Sequence, residues 1–195
     1  MSDLFVDNIK HQSSQGSGTI TLGASGETIA LASGAEVSGF TGQNYPAFEA
    51  YMTTATQSIS DGVYAKAQIN TKIFDTNSCY DNATNYRFTP TVAGKYFCYG
   101  QISLSSGASA NWEIGQVEIR KNGGTSDPIR TQLDFRGNSG GFNNMINVSG
   151  VRELNGSTDY IELFGRLYHG ASSSGTFVGD SGDRITYFGA FRIGA

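Results

Sequence analysis

The segment "IFDTNSCYDNATNYRFTPTVAGKYFCYG" (Ile73–Gly100) alternates short apolar runs with clusters of Asn, Asp, Thr and Gly. Gly94 suits a tight entry into a β-strand. Along that strand Tyr96, Cys98 and Gly100 share one face, because successive side chains point to opposite faces. The segment predicts short strands joined by polar turns, and the same pattern continues through the C-terminal three quarters of the chain.

Nine candidate strands follow from this period-two pattern. They are Ala47–Met52, Ala65–Phe74, Tyr86–Phe88, Gly94–Leu104, Trp112–Lys121, Ile129–Phe135, Met145–Leu154, Asp159–Tyr168 and Arg184–Ile193. No window of ten or more residues carries a helical stripe, and Asn122-Gly123 is a strong hairpin-turn signal. Strands of this number and length are typical of an all-β jelly-roll β-sandwich. We expect such a domain, the head, over residues 46–195.

A series of motifs runs through the head in order: PAFEA (Pro46–Ala50), Phe74 followed by Tyr80-Asp81, Phe88-Thr89-Pro90, Gly94-Lys95-Tyr96, VEIRKNG (Val117–Gly123), STDYIEL (Ser157–Leu163) and YFGAFRI (Tyr187–Ile193). This series resembles the complement C1q-like domain of the tumour-necrosis-factor-like jelly-roll group. The chain departs from that pattern at Ser157-Thr158, where Gly is usual. It departs again at Cys98, where an aromatic is usual, so we expect different core packing there.

The resemblance implies a homotrimer whose heads meet through aromatic-rich contacts around a threefold axis. It assigns six aromatic residues to the core or to these contacts: Phe48, Phe74, Phe88, Tyr96, Phe188 and Phe191. Some relatives bind calcium, for which the pairs Asp75/Asp81 and Asp180/Asp183 are candidates. Because mixtures of Asp, Gly and Ser commonly form plain turns and the EF-hand spacing is absent, we expect no cofactor, with calcium as the alternative.

A nine-residue repeat precedes the head: Thr19–Glu27, Thr28–Glu36 and a partial third copy. Each copy places few apolar side chains on one face, which is too little to bury without neighbours. Identical chains around an axis supply those neighbours, so residues 19–45 are expected to form an extended or β-spiral trimeric stalk. Its axis residues are Ile20, Leu22, Ile29, Leu31, Val37 and Phe40. The alternatives are a hairpin packed on the head and a Gly-rich linker.

Residues 1–18 are interpreted as an attachment segment followed by the polar linker "HQSSQGSG". The apolar cluster of this segment consists of Leu4, Phe5, Val6 and Ile9. The segment has neither the basic region nor the apolar core of a signal peptide, so we expect assembly in a cytosol. No stretch reaches the roughly 18 consecutive apolar residues of a membrane span, so we expect no membrane insertion.

Charge and reactive residues argue against nucleic-acid binding and against catalysis. The formal net charge of −4 argues against a nucleic-acid binder, because neutralising the phosphates of nucleic acid needs clustered Lys and Arg. The two histidines, His11 and His169, are expected in exposed loops, and no Gly-x-Ser-x-Gly elbow frames a nucleophile. We therefore expect no enzyme. Cys79 and Cys98 are expected to be reduced and buried, with a disulfide between them as the alternative.

Three Gly- and Ser-rich stretches, "LSSGASAN", "RGNSGGFNN" and "YHGASSSG", predict long loops at an end of the sandwich. Loops on a rigid β scaffold commonly carry binding. The candidate ligand-binding residues are Asn111, Trp112, Asn138, Phe142, Asn143 and His169.

The order of attachment segment, stalk and head resembles the tail- or head-fibre proteins of bacteriophages. The resemblance implies a trimeric virion surface protein, assembled in the host cytoplasm, whose N-terminus docks to a capsid or tail protein. The head would project outward, where a host-surface glycan or protein is a possible partner. The alternative is a soluble lectin-like module of a cellular organism. A glycan depolymerase is disfavoured, because no paired-carboxylate constellation is evident.

Overall fold

The computed structural model describes residues 45–53, 56–106, 112–136, 143–169 and 174–194, which belong to one compact unit, Thr41–Ala195. Several predictions lie outside these ranges and stay predictions. They concern the attachment residues Leu4, Phe5, Val6 and Ile9, the stalk residues Ile20, Leu22, Ile29, Leu31, Val37 and Phe40, and the loop residues Asn111, Asn138 and Phe142.

The described strands form two antiparallel sheets. The first sheet contains β1 (Ala47–Tyr51), β2 (Thr56–Ile59), β4 (Thr71–Asp75), β7 (Ala93–Ser105), β10 (Asn143–Asn155), β12 (Gly175–Val178) and β13 (Tyr187–Gly194). The second contains β3 (Ala65–Lys66), β5 (Tyr80–Asp81), β6 (Arg87–Phe88), β8 (Ile114–Lys121), β9 (Ile129–Asp134) and β11 (Ile161–Tyr168). A 3-10 turn at Thr76–Ser78 is the one helical element in the described ranges. No described helix has the length and apolar character to cross a bilayer.

Strand β7 is the centre of the first sheet. It pairs along its whole length with β10, from Ala93↔Asn155 to Ser105↔Asn143. Its other edge pairs with β13 and, near its end, with β12. Strand β1 extends the sheet from β13 to β4, and β2 pairs with β12. In the second sheet β8 lies between β9 and β11, and β11 also pairs with β3 and β6.

Side chains from both sheets form one core. The ring of Phe48 stacks on Tyr80 and on Phe88, with centroids 4.5 Å apart in each case, and meets Phe188 edge to face. Tyr96 packs against Phe88 at 5.8 Å. All five side chains are almost wholly buried, and burial of an aromatic side chain contributes about 1.5–3 kcal/mol. Of the six aromatic residues that the resemblance assigns to the core or to trimer contacts, Phe48, Phe88, Tyr96 and Phe188 lie in the core.

Both cysteines are free and buried. Cys98 is fully buried beside Tyr96, at the position where the resemblance places an aromatic residue. Burial raises the pKa of the Cys98 thiol to about 12 and also raises the pKa of the Cys79 thiol. Both side chains therefore act as small apolar groups at neutral pH, which confirms the prediction of reduced, buried cysteines.

Two parts of the strand prediction were incomplete. Strands β2, β5 and β12 were missed, because "TQSI", "YD" and "GTFV" are short and largely polar or Gly-containing. The predicted strand over Ala65–Phe74 divides between the two sheets as β3 and β4. Its middle crosses from one sheet to the other while Ala67 and Ile69 enter the core, and Tyr80 donates its hydroxyl hydrogen to the Ile69 carbonyl.

The Asn122-Gly123 turn is present, as the sequence predicts. Both residues have positive φ (53° and 68°), and the Gly124 N–H donates to the Lys121 carbonyl at 2.9 Å. This is the geometry of the primed turns that Asn-Gly favours. The flanking strands, however, come into register only at Ile119↔Ile129, so the turn opens a longer loop instead of closing a two-residue hairpin.

Candidate functional site

The outer face of the first sheet, which points away from the core, carries large apolar side chains. Along β7 the even-numbered residues from Gly94 to Leu104 are buried, whereas Phe97, Tyr99 and Gln101 point outward and are partly exposed. Paired residues on neighbouring strands share this outward direction. We define the aromatic face as Tyr51, Phe74, Phe97, Tyr99, Met145, Val151, Tyr187 and Phe191.

Strand register arranges this face in rows across the sheet. Val151, Phe97 and Phe191 form one row, with the Phe97 and Phe191 ring centroids 5.6 Å apart. Tyr99 lies in the next row and stacks on Phe97 at 6.1 Å. Tyr187, one row further, is 6.3 Å from Tyr99. The rings thus form a continuous apolar strip along the middle of the sheet.

A glycine makes room for the centre of this strip. The Tyr99 ring lies over Gly189 on the neighbouring strand, where an added Cβ would be 2.4 Å from a Tyr99 ring carbon. In this position Tyr99 reaches across β13 and donates its hydroxyl hydrogen to Glu49 Oε2 at 2.7 Å. Burial and the Glu49 carboxylate raise the pKa of Tyr99. Tyr99 therefore remains a neutral donor throughout the physiological range.

Gly189→Ala is expected to lower the free energy of unfolding by about 1–3 kcal/mol, because the new methyl group forces Tyr99 off its site. Urea unfolding followed by circular dichroism measures this loss. Gly194→Ala is the matched control, since nothing lies within 4 Å of a Cβ at that position, and its effect should stay within about 0.5 kcal/mol. Equal effects of the two substitutions would show that the Tyr99–Gly189 contact contributes nothing.

Four of the six aromatic residues predicted for the core or for trimer contacts lie in the core, and the other two, Phe74 and Phe191, lie on the aromatic face. Phe74 is 44% exposed on the aromatic face, opposite Glu49, and Phe191 is partly buried in its central row. The sequence prediction missed Phe97, Tyr99 and Val151. The sequence pattern nevertheless indicates them, because these three residues alternate along their strands with residues that the same pattern assigns to the core.

Two candidate ligand-binding residues are wrong as exposed loop positions. His169 is 3% exposed, and its backbone N–H donates to Asp61 Oδ1 at 2.8 Å. Trp112 is fully buried and meets Phe135 edge to face at 5.0 Å. Both residues stand beside strand ends and their rings are buried, so neither is placed to contact a ligand from solvent. Asn143, at the start of β10, is exposed.

The candidate calcium carboxylates hold turns. Asp180 Oδ1 accepts hydrogen bonds from the N–H groups of Gly182 and Asp183, and Asp75 accepts from the Cys79 N–H. Backbone N–H groups of the turn after Asp81 lower the pKa of that carboxyl. In the described ranges no group of three His, Cys, Asp or Glu side chains is arranged to hold a metal ion.

Comparison with known proteins bears on the fold alone. No protein-family model matches the chain, and no curated protein matches it. Among solved structures, the tumour necrosis factor Eiger of S. frugiperda aligns over 75% of this chain and 90% of its own, with 12% sequence identity and a TM-score of 0.51. The globular domain of zebrafish complement 1qA aligns over 76% and 97%, with 19% identity and a TM-score of 0.46. The two antiparallel sheets and the alignment with Eiger show that the head is a β-sandwich with the jelly-roll fold of the tumour-necrosis-factor type, as its sequence motifs predict.

Proposed function

We propose that the chain is a non-enzymatic, trimeric surface protein of a bacteriophage virion. In this proposal the N-terminus docks to the capsid or tail, the repeat forms the stalk, and three heads meet through their aromatic faces. The aromatic face supports the trimeric part of the proposal. An antiparallel sheet that faces water on one side normally alternates apolar with polar residues, yet here both sides of the central strands carry apolar side chains.

The occupant that we propose for the aromatic face is a second and third copy of this chain. Val151 is 48% exposed and Met145 52% exposed at one margin of the face, and Phe74 is 44% exposed at the other. Between these margins the apolar side chains surround the Glu49 carboxylate, and an apolar surface with few polar groups is typical of a protein–protein interface. The apolar side chains of the repeat at residues 19–45 also need identical neighbouring chains to become buried. One threefold axis would therefore bury both the repeat and the aromatic face.

The virion assignment rests on the N-terminal sequence. The attachment segment and the stalk repeat, followed by the head, resemble the order of parts in bacteriophage fibres and support this assignment. Cryo-electron microscopy of virions whose genome encodes this chain tests the assignment. We expect threefold-symmetric density of the head at the particle surface. Purified particles that lack the chain would contradict the proposal and would favour the lectin-like alternative.

Changing both Ile29 and Leu31 to Asp is expected to disrupt the proposed stalk, because charges cannot be buried unpaired on an axis. The head should stay folded, with an unchanged circular dichroism spectrum. Sedimentation analysis of the full chain measures the assembly. Ala30→Asp with Ala32→Asp is the matched control, since alternation in the proposed stalk strand would place these two positions on the side opposite to Ile29 and Leu31. Equal loss of assembly in both double variants, or none in either, would contradict the axis assignment.

A further inference from the structure

The outer face of the second sheet carries three arginines around one tyrosine ring. The guanidinium carbons of Arg120, Arg166 and Arg130 lie 4.5, 4.9 and 5.9 Å from the centre of the Tyr64 ring. We call these four residues the arginine cluster. The Tyr64 hydroxyl is hydrogen-bonded to Gln116 Oε1 at 2.7 Å, which fixes the ring across the sheet.

Strand alternation brings the cluster together from separate parts of the chain. Arg120 and Arg166 point outward from β8 and β11, whose intervening residues enter the core. Arg130 joins them from β9. The ring of Phe164, also on β11, lies 4.2 Å from the Arg120 guanidinium carbon. Arg120 is thus in contact with two aromatic rings, and stacking of this kind holds a guanidinium in a defined orientation.

The positive charges in the cluster exceed the negative charges that contact them. Glu118 is fully buried and accepts hydrogen bonds from Arg120 Nε at 2.7 Å and from Arg130 Nε at 2.5 Å. The next carboxylate along the face, Glu162, is paired with Lys66 at 2.7 Å. Two of the three guanidinium groups, those of Arg120 and Arg130, therefore share one carboxylate.

Arg166 is the one arginine of the cluster that is not paired with Glu118. No ion pair joins it to a described residue, and its Nε is buried without a hydrogen-bond partner there. A buried donor without a partner costs about 1–3 kcal/mol, so an acceptor supplied from outside the chain would stabilise this arrangement. The Arg130 side chain is 44% exposed and Arg166 is partly exposed, so both guanidinium groups can be approached from solvent.

We infer that the arginine cluster binds an oxyanion of the carboxylate or sulfate class, such as acidic polysaccharides carry. Arg166 and Arg130 donate to the anion, and Tyr64 and Phe164 hold the guanidinium groups in place. Planar guanidinium groups suit such anions because two parallel N–H donors match two oxygens. The site lies on the second sheet, on the opposite side of the sandwich from the aromatic face. It depends neither on the trimer nor on the virion proposal.

Calorimetric titration of the full chain tests this site with three hexasaccharide probes: a sulfated one, a uronate one and a neutral glucan. We expect the sulfated probe, the uronate probe or both to bind, and the neutral glucan not to bind. Sulfate-only binding would assign the sulfate class and uronate-only binding the carboxylate class. Binding of the neutral probe with equal affinity, or of no probe, would overturn the inference.

Arg166→Gln is expected to weaken binding by at least about tenfold, the value of one charged hydrogen bond. Arg87→Gln is the matched control, because the Arg87 guanidinium carbon lies 4.4 Å over the single ring of Tyr160 and belongs to the same sheet. It removes the same charge, and binding should stay within twofold of the unmodified chain. If both variants lost the same affinity for the probe, binding would depend on general charge attraction and not on Arg166, and the inference would be wrong.

A second readout separates binding from folding. Titration of the binding hexasaccharide should shift the NMR signal of the Arg166 Nε–H group and leave that of Arg87 in place. Arg130→Gln provides another variant for affinity, since this side chain is largely exposed and its loss leaves Glu118 paired with Arg120. The inference would be overturned if the Arg166 Nε–H signal did not move at a saturating concentration of the probe. It would also be overturned if the Arg130→Gln and Arg166→Gln variants both bound the probe as tightly as the unmodified chain.

Discussion

Val151→Asp is expected to dissociate the proposed trimer into monomers while the head stays folded. Val151 is 48% exposed and stands in the row of Phe97 and Phe191. In a single chain a carboxylate at this position remains in water, so the free energy of unfolding of the head should change little. In a trimer the same carboxylate is buried against apolar rings in each of three copies, and an unpaired buried charge costs several kcal/mol.

Sedimentation of the full chain measures the effect of Val151→Asp. The unmodified protein should sediment at three times the 20.8 kDa mass of the chain. The substitution should raise the concentration midpoint of assembly by about 100-fold or more. A stalk that also holds the chains together does not remove this effect, because every head contact contributes to the same equilibrium constant.

Val63→Asp is the matched control for this experiment. Val63 is 55% exposed, so it has the same side chain and a similar exposure, but it precedes β3 of the second sheet. Its substitution should leave the assembly equilibrium within threefold of the unmodified value. A monomeric unmodified chain would contradict the trimer itself. A trimer that tolerates Val151→Asp would place the interface elsewhere.

The sequence predicts the sandwich because its information is local. Period-two alternation separates Tyr96 and Cys98, which enter the core, from Phe97 and Tyr99, which face outward. The Asn122-Gly123 turn is equally local, since two adjacent residues define it. Such features depend only on neighbours along the chain, and these parts of the fold could be predicted.

The parts that were missed depend on contacts between distant segments. Tyr64 meets Arg120 and Arg166 only because β3, β8 and β11 are neighbours in one sheet. In "VEIRK" the residues Glu118 and Arg120 have the pattern of a solvated strand face, and nothing adjacent to them indicates that Tyr64 covers them. The burial of His169 was missed for a similar reason, because its neighbour Asp61 is more than a hundred residues away in the chain.

Glu118→Gln is expected to be the most destabilising substitution that we propose. Glu118 is fully buried and is the partner of Arg120, whose side chain is only 8% exposed. Removal of one member of a buried ion pair costs about 3–5 kcal/mol, because the other charge stays buried without compensation. Since 1 kcal/mol corresponds to about 2–4 °C in a domain of this size, Tm should fall by about 10 °C.

Two further variants identify the cause of that loss. Glu113→Gln removes the same charge from a partly exposed position outside the cluster and should change Tm by at most about 2 °C. Glu118→Leu combined with Arg120→Met removes both charges and keeps similar volumes, so it should recover most of the stability. If the double variant is no more stable than Glu118→Gln, the loss of stability arises from packing and not from the unpaired charge of Arg120.

The pH dependence provides an independent test of the same pair. Burial alone raises the pKa of Glu118, but the hydrogen bonds from the guanidinium groups of Arg120 and Arg130 outweigh it, so the pKa in the folded protein is lowered. A lowered folded pKa gives stability that is fully present above the unfolded pKa of about 4.3 and is lost as the pH falls through the folded value. The difference in unfolding free energy between the unmodified protein and Glu118→Gln should therefore be constant from pH 5 to 7 and shrink below pH 4. Urea unfolding at a series of pH values measures it, and a difference that is unchanged at pH 3 would mean that the Glu118 charge does not stabilise the fold.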